Sequence, residues 1–494
     1  MGIIIRQSIR GSVWSYMGVL VGFITTAYLY PEYLSTDTIG LFQLLLAWSM
    51  LFAHFSALGF TGVTARLFPY FRDKEKGHNG FLFIAFLVMG VGFTLFLLTY
   101  FIFSPWLEEN NAEKSQLFSQ YIYLLIPLTF FILLFNILDS FNKLLFNVVL
   151  GTFLNELLQR LLIMLVVVLY IAGIIDLHQL IHSFAGVISL KGIFMFFYLL
   201  YKKEINLKPK PGYVDKKLRR EMWDVALFSI LAAAGGNMVF SIDKILINQI
   251  LGLSATGIYS IAFFFGTLVI IPSRPLLRIT GTLIAEAWKK NDVTYIEDVY
   301  KRSCINQFII GAFLFGGIWI NIDNIIIILG PEYEQARWVI FFIGLGYLID
   351  MATGANDLVI GYSKYYRMSL WFLLGLVIMV IPLMYLFIPL WGITGAAVAI
   401  VIALFFYNLM RFLFLLKKFR MQPFSNRFLV LILIFLVAYA VAVSLPAAQL
   451  IIDILVRSTV FTILFILPVI LFKISPDINK MYVQFYHGFK SKIK

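Results

Sequence analysis

The chain has 494 residues, of which 61% are hydrophobic and only 13% charged, with a mean hydropathy of +0.90. That charge is far too sparse to cover the surface of a soluble protein of this length. The net charge of +13 would suit a nucleic-acid binder, but the cations are gathered in alternate loops between long apolar runs. That asymmetry belongs to a membrane protein and leaves nucleic acid without a role.

At about 1.5 Å per residue, some 20 apolar residues cross a hydrocarbon core. Runs of that kind fall near 9–30, 38–62, 80–104, 118–138, 148–174 and 178–201. After a polar connection they resume near 225–250, 255–287, 303–321, 336–361, 367–389, 392–416, 427–446 and 451–473. The expected fold is an all-α integral membrane protein of about fourteen transmembrane helices. It comprises an N-terminal six-helix bundle (1–203), a basic cytoplasmic linker (204–224), a C-terminal six-helix bundle (225–420), and two extra helices with a basic tail (421–494). No external loop is large enough to hold a folded domain.

All but eight of the 39 Lys and Arg lie before the first run, in the even-numbered loops or in the tail. The positive-inside rule puts that side, and both termini, in the cytoplasm. Arg6 and Arg10 precede the first run, which has no small-residue cleavage site and is expected to stay as a span. The external loops are short and carry acids such as Glu108, Glu109, Glu113, Glu332 and Glu334. The segment KKEINLKPKPGYVDKKLRREMWD (202–224) holds eight cations, and its Lys-Pro-Lys-Pro-Gly break prevents one continuous helix.

The two halves are related. Leu34-Ser35-Thr36-Asp37-Thr38-Ile39-Gly40-Leu41-Phe42 opens the second run, and Leu251-Gly252-Leu253-Ser254-Ala255-Thr256-Gly257-Ile258-Tyr259 opens the eighth, 217 residues later. A parallel repeat of six spans implies two similar bundles sharing a cavity, the architecture of an alternating-access carrier.

Apart from cations toward the run ends, five are assigned to the interior of the runs: Arg160, Lys191, Lys244, Arg274 and Arg278. Each costs about 2.5–3.5 kcal/mol at a helix centre on insertion scales, so a wet cavity or a partner is expected. Arg274 and Arg278, four residues apart beside Pro272 and Pro275, either bind an anionic group in a broken helix or mark the early end of that span in the headgroup region. Lys191 is a cavity cation or the partner of an acid on another helix. Glu156 and Arg160 have i, i+4 spacing and can neutralise each other. Asp243 precedes Lys244, and being short it needs a nearby partner. Asp350 and Asp357, seven apart on one expected helix face, are ion-coupling groups or partners of the cations.

His178 and His182 also have i, i+4 spacing, with only Asp176 as a third ligand, and are read as interfacial rather than zinc-binding. Cys304 is the only cysteine. It rules out a disulfide framework or thiolate cluster, and neither metal nor cofactor is expected. No P-loop, H-E-x-x-H or G-x-S-x-G motif occurs, so catalysis is not expected.

Ile242-Asp243-Lys244-Ile245-Leu246-Ile247-Asn248-Gln249-Ile250-Leu251-Gly252, followed by Gly257-Ile258-Tyr259-Ser260, resembles the seventh-to-eighth-span signature of bacterial polysaccharide flippases. The segment from Leu34 to Phe42 resembles that family's first loop, and Trp391-Gly392-Ile393-Thr394-Gly395-Ala396-Ala397 its entry to span twelve. The family's superfamily also holds multidrug and toxin extruders and lipid II flippases. The resemblance implies two six-helix bundles around a cationic cavity in a bacterial inner membrane. It further implies translocation of a polyprenyl-pyrophosphate-linked oligosaccharide for lipopolysaccharide or another surface polysaccharide, by a monomer alongside other polysaccharide-assembly proteins. By motif only Asp243 and Lys244 carry over; their first-half equivalents, Thr26 and Ala27, are uncharged. The rival readings are a cation-coupled multidrug extruder of the same superfamily, and a membrane polysaccharide polymerase or ligase.

Overall fold

The computed structural model describes residues 2–111, 114–447 and 449–493, and these are mostly helical with no strand among them. Of the residues named above, Glu113 and the side chains of Arg6, Arg10 and Glu108 lie outside the described set. The chain packs as two compact units, Met1–Ser260 and Ile261–Lys494.

The first unit begins with α1 (Gly2–Phe23), which continues through a π-helical segment, Ile24–Leu29. Next come α2 (Thr36–Ser56) and α3 (Phe60–Phe71), separated by the left-handed residues Leu58 and Gly59. Ser35 starts α2 by accepting a hydrogen bond from the Thr38 amide at 3.2 Å. Then follow α4 (Phe81–Asn111), α5 (Leu125–Leu144), a second π segment (Phe153–Leu158) leading into α6 (Gln159–Ile171), and α7 (Leu177–Tyr201). Asp176 and Gln179 form a capping box at the start of α7. The unit includes α8 (Lys216–Leu251), the expected seventh span, and the first half of α9 (Leu253–Thr267). Its core is aromatic: Phe42 stacks on Phe184 at 4.0 Å, and Phe68, Phe81 and Phe141 meet edge to face or stacked. Pairs of this kind add about 0.5–1.5 kcal/mol beyond their area.

The second unit continues with α10 (Ser273–Lys289), α11 (Val293–Trp319), α12 (Ile322–Leu329), α13 (Ala336–Thr353) and α14 (Asn356–Gly361). After these come α15 (Arg367–Phe419), α16 (Asn426–Val443), α17 (Leu450–Leu471) and α18 (Pro476–Ile493). Phe313, Phe461, Phe465 and Phe435 join α11 to the pair α16–α17.

Among the described residues, ten helices are long and apolar enough to cross a membrane, or eleven with the bent pair α11–α12 counted as one span. The expected fourteen runs do not map onto helices one for one, and the reasons are local. The runs expected at 367–389 and 392–416 form the two limbs of α15, whose 53 residues would extend about 80 Å if straight. The backbone instead turns at Trp391 and Gly392 (φ 57°), a conformation that glycine adopts at little cost. A methyl group at Gly395 would stand 2.0 Å from the Phe387 carbonyl oxygen, so the two limbs are sharply bent against each other. The run expected at 255–287 is broken between Thr267 and Ser273, as Pro272 demands. Pro275 is tolerated in the first turn of α10, where its missing N–H would have had no partner.

Candidate functional site

In the first unit, a polar cluster sits where an apolar helix leaves α geometry. The π segment Phe153–Leu158 carries Asn155 and Glu156, and Arg160 follows in α6. Arg160 donates from Nη2 to Glu156 at 3.2 Å and from Nη1 to the Gly18 carbonyl of α1 at 2.9 Å. Gly18 allows this approach, since a methyl group there would stand 2.0 Å from the Glu156 carbonyl oxygen. Lys191, only 6% exposed on α7, donates to Asn155 Oδ1 at 2.9 Å and lies 5.0 Å above the Phe135 ring. A second acid, Asp139, lies within α5 and pairs with Lys143 at 2.6 Å. Three expected site residues (Glu156, Arg160 and Lys191) are thus gathered through Asn155. Departures from α geometry of this kind concentrate at functional sites.

Asp243 and Lys244 stand apart from that cluster. Asp243 is fully buried and accepts from the Tyr259 hydroxyl at 3.0 Å and from the Lys244 amide at 2.8 Å.

The second unit has its own charged cluster. Asp350 and Asp357 do not share a continuous helix face, because α13 ends at Thr353 and Gly354 (φ 60°) turns the chain before α14. They meet on α15 instead. Asn408 donates to Asp350 at 3.0 Å and accepts from Thr353 at 2.8 Å, while Arg411 reaches Asp357 at 3.2 Å and stacks over Tyr407 at 4.4 Å. Arg274 and Arg278 are exposed on one side of amphipathic α10, whose other side buries Ser273, Gly281, Ile284 and Ala287.

The two histidines are taken up by hydrogen bonds. His182 Nδ1 donates to the His178 carbonyl at 2.7 Å, so its Nε2 accepts from the Tyr123 hydroxyl at 2.7 Å. His178 Nδ1 meets the Tyr121 hydroxyl at 2.8 Å. No group of three potential metal ligands occurs among the described residues.

The basic linker is latched onto the loop between α3 and α4. Glu204 bonds Lys74 and the buried His78, Tyr213 donates to the Tyr70 carbonyl at 2.7 Å, and Lys210 donates to Asn79 at 3.1 Å. Partial burial works against ionised Glu204, but the bonds from His78 and Lys74 outweigh it and hold its carboxyl below the usual range. The latch is therefore intact above the ordinary glutamate value near 4.3 and loosens as pH falls through the lower folded value. Lys74 is largely exposed, so the expected loss on Glu204→Ala is only about 1 kcal/mol. That predicts roughly five-fold faster tryptic cleavage after Lys202 or Lys203 at neutral pH, read on a gel time course. An unchanged rate would mean that the latch adds no protection.

Asn155, Asp139, Asn408 and Arg411 join these clusters without having been expected to, and Tyr259 of the repeat proves to be a partner of Asp243. Asn155-Glu156 interrupting an apolar run, and Asn408 three residues before Arg411 in another, were the signals available. Arg411 lies within the run expected at 392–416 and is only 5% exposed by its side chain.

Comparison with known proteins adds independent information. The chain resembles the solved lipid II flippase MurJ in its inward closed conformation, with TM-score 0.72 and 16% identity over 93% of this chain and 98% of that one. It resembles an inward-facing multidrug resistance MATE family transporter of the MOP superfamily, with TM-score 0.64 and 16% identity over 84% of this chain and 98% of that one. At such identities the likeness is one of fold. No curated protein sequence matches. The family model described as "Polysaccharide biosynthesis protein" matches residues 8–284, more than half of the chain. This multi-pass membrane protein, with the fold shared by MurJ and MATE transporters, therefore belongs to the polysaccharide biosynthesis protein family.

Proposed function

We propose that this protein is a flippase that carries a polyprenyl-pyrophosphate-linked oligosaccharide across a bacterial cytoplasmic membrane by alternating access, with both termini in the cytoplasm. The observation that carries the reading is the placement of Lys191, a cation only 6% exposed whose hydrogen bond goes to the neutral amide of Asn155 rather than to a carboxylate. A pyrophosphate supplies negative charge and several acceptor oxygens for such a cation, and bonds of that kind are among the stronger ones. The sugars require a wet path and the prenyl tail can remain in lipid. On this reading Arg274 and Arg278, exposed on α10 of the second unit, also contact the anionic head during the cycle.

The test is delivery of a lipid-linked oligosaccharide across proteoliposomes, read by access of an external glycosidase. Protein-dependent delivery that falls about ten-fold in R274Q/R278Q supports the reading, in line with the loss of one or two charge-assisted bonds. One observation favours a second reading, a cation-coupled extruder: the buried carboxylate of Asp243 and the mostly buried Asp350. Transport of organic cations against a sodium or proton gradient, without glycan delivery, would replace the flippase reading with that one.

A further inference from the structure

The two sequence repeats meet each other in a contact made of backbone and hydroxyl groups. With an offset of 217, Gly40 corresponds to Gly257 and Thr36 to Leu253. A methyl group at Gly40 would stand 2.1 Å from the Leu253 carbonyl oxygen, and one at Gly257 would stand 2.0 Å from the Thr36 carbonyl oxygen. Each glycine thus receives the carbonyl of the residue that corresponds to its own partner's. This exchange is the signature of a local two-fold axis through the contact. Around it, the Thr36 and Ser254 hydroxyls lie 2.7 Å apart, Lys114 Nζ donates to the Ile250 carbonyl at 2.8 Å, and Ser115 donates to Asn248 at 2.6 Å. All these residues lie at loops that the cation asymmetry puts outside.

The neighbouring helices along the chain, α3 and α8, touch in the same way toward the cytoplasmic side. A methyl group at Gly59 would stand 2.1 Å from the Ala226 carbonyl oxygen, and one at Gly62 would stand 1.8 Å from Ser229 Oγ. Between the two contacts the chain breaks at Leu58 and Gly59, both left-handed, so α2 and α3 are joined by a hinge rather than a rigid rod. The opposite face of α2 is held differently, by the Phe42–Phe184 stack and other buried apolar side chains. Parting that face would expose large rings to water. Parting the glycine contacts exposes carbonyls and hydroxyls that water can bond at once, so their separation costs little.

We infer that Gly40 and Gly257, with Thr36 and Ser254, form the external gate of the transport cycle, and that Gly59 and Gly62 against Ala226 and Ser229 form the internal one. The inference rests on the transport reading above and adds the residues that open and close. The structure holds both contacts made. Glycine is required because any side chain at 40 or 257 would stand against backbone and keep the external contact from closing.

The test is a reversible lock. Cys304 is buried, so engineered cysteines are read cleanly. T36C/S254C is expected to cross-link under mild oxidant, to lose at least ten-fold of delivery when oxidised, and to recover it on reduction. Single T36C should react with an impermeant external thiol reagent faster when substrate is cycling. A cross-link that forms fully while delivery continues overturns the gate assignment, and wild-type delivery in the same vesicles keeps that failure distinct from failure of the flippase reading. Gly40→Leu, whose clash keeps the contact open, should show raised reactivity at S254C. Unchanged reactivity would equally count against the gate.

Discussion

Replacing Lys191 by Met will lower glycan-lipid delivery by about 10–100-fold while leaving the protein folded. The range follows from one charge-assisted hydrogen bond, about 1.5–3 kcal/mol, at 1.4 kcal/mol per decade. The fold should survive because Met fills a similar volume beside Phe135 and removes a charge whose burial is costly in any case. Asn155, left without its donor, can turn its amide toward Glu156, to which it already donates at 3.3 Å. Lys191→Arg is the informative companion. It keeps the charge, but Gly192 is pressed against the Phe131 carbonyl, so the helix has little freedom to shift for a larger head group. Intermediate delivery is therefore expected. The readouts are initial delivery rate and melting temperature of the purified protein. If K191M delivers normally, Lys191 serves only to balance Glu156 and Asp139, and the anion is held elsewhere.

The architecture was legible where it depends on one-dimensional quantities. Apolar run length gave the membrane class, loop cations gave a sidedness, and the matched segments at Gly40 and Gly257 pointed to the repeat that the structure brings face to face. Proline gave the break before α10. What failed depends on geometry that spacing does not encode. Seven residues put Asp350 and Asp357 on one face only if the helix runs through Gly354, and it does not. The boundary expected between 389 and 392, by contrast, coincides with the turn at Trp391 and Gly392. Lys191 has no acid on its own helix, and its partner is a neutral amide 36 residues away on a π segment that no periodicity announces. Buried charges are visible in a sequence, whereas their partners depend on which helices pack together.

Replacing Arg411 by Leu will destabilise the second unit, and neutralising its acids will restore it. Arg411 is 5% exposed, reaches Asp357 at 3.2 Å and covers the Tyr407 ring, while one turn earlier Asn408 holds Asp350. Removing one member of a buried pair costs about 3–5 kcal/mol because a charge is left uncompensated. Asp357 is more than half exposed and can be hydrated, which puts the expected loss near the lower bound. At roughly 2–4 °C per kcal/mol the melting temperature should fall by about 6–12 °C. Leu replaces the guanidinium with apolar volume, so the triple variant R411L/D350N/D357N contains no unpaired charge and should regain most of that loss. Failure of this rescue would mean that Arg411 acts through its packing on Tyr407 rather than through charge. Once stability is restored, transport can be read separately. If Asp350 and Asp357 couple an ion to the cycle, the triple variant will move substrate down its gradient yet no longer respond to an imposed sodium or proton gradient. If they only balance Arg411, the response will be that of the wild type.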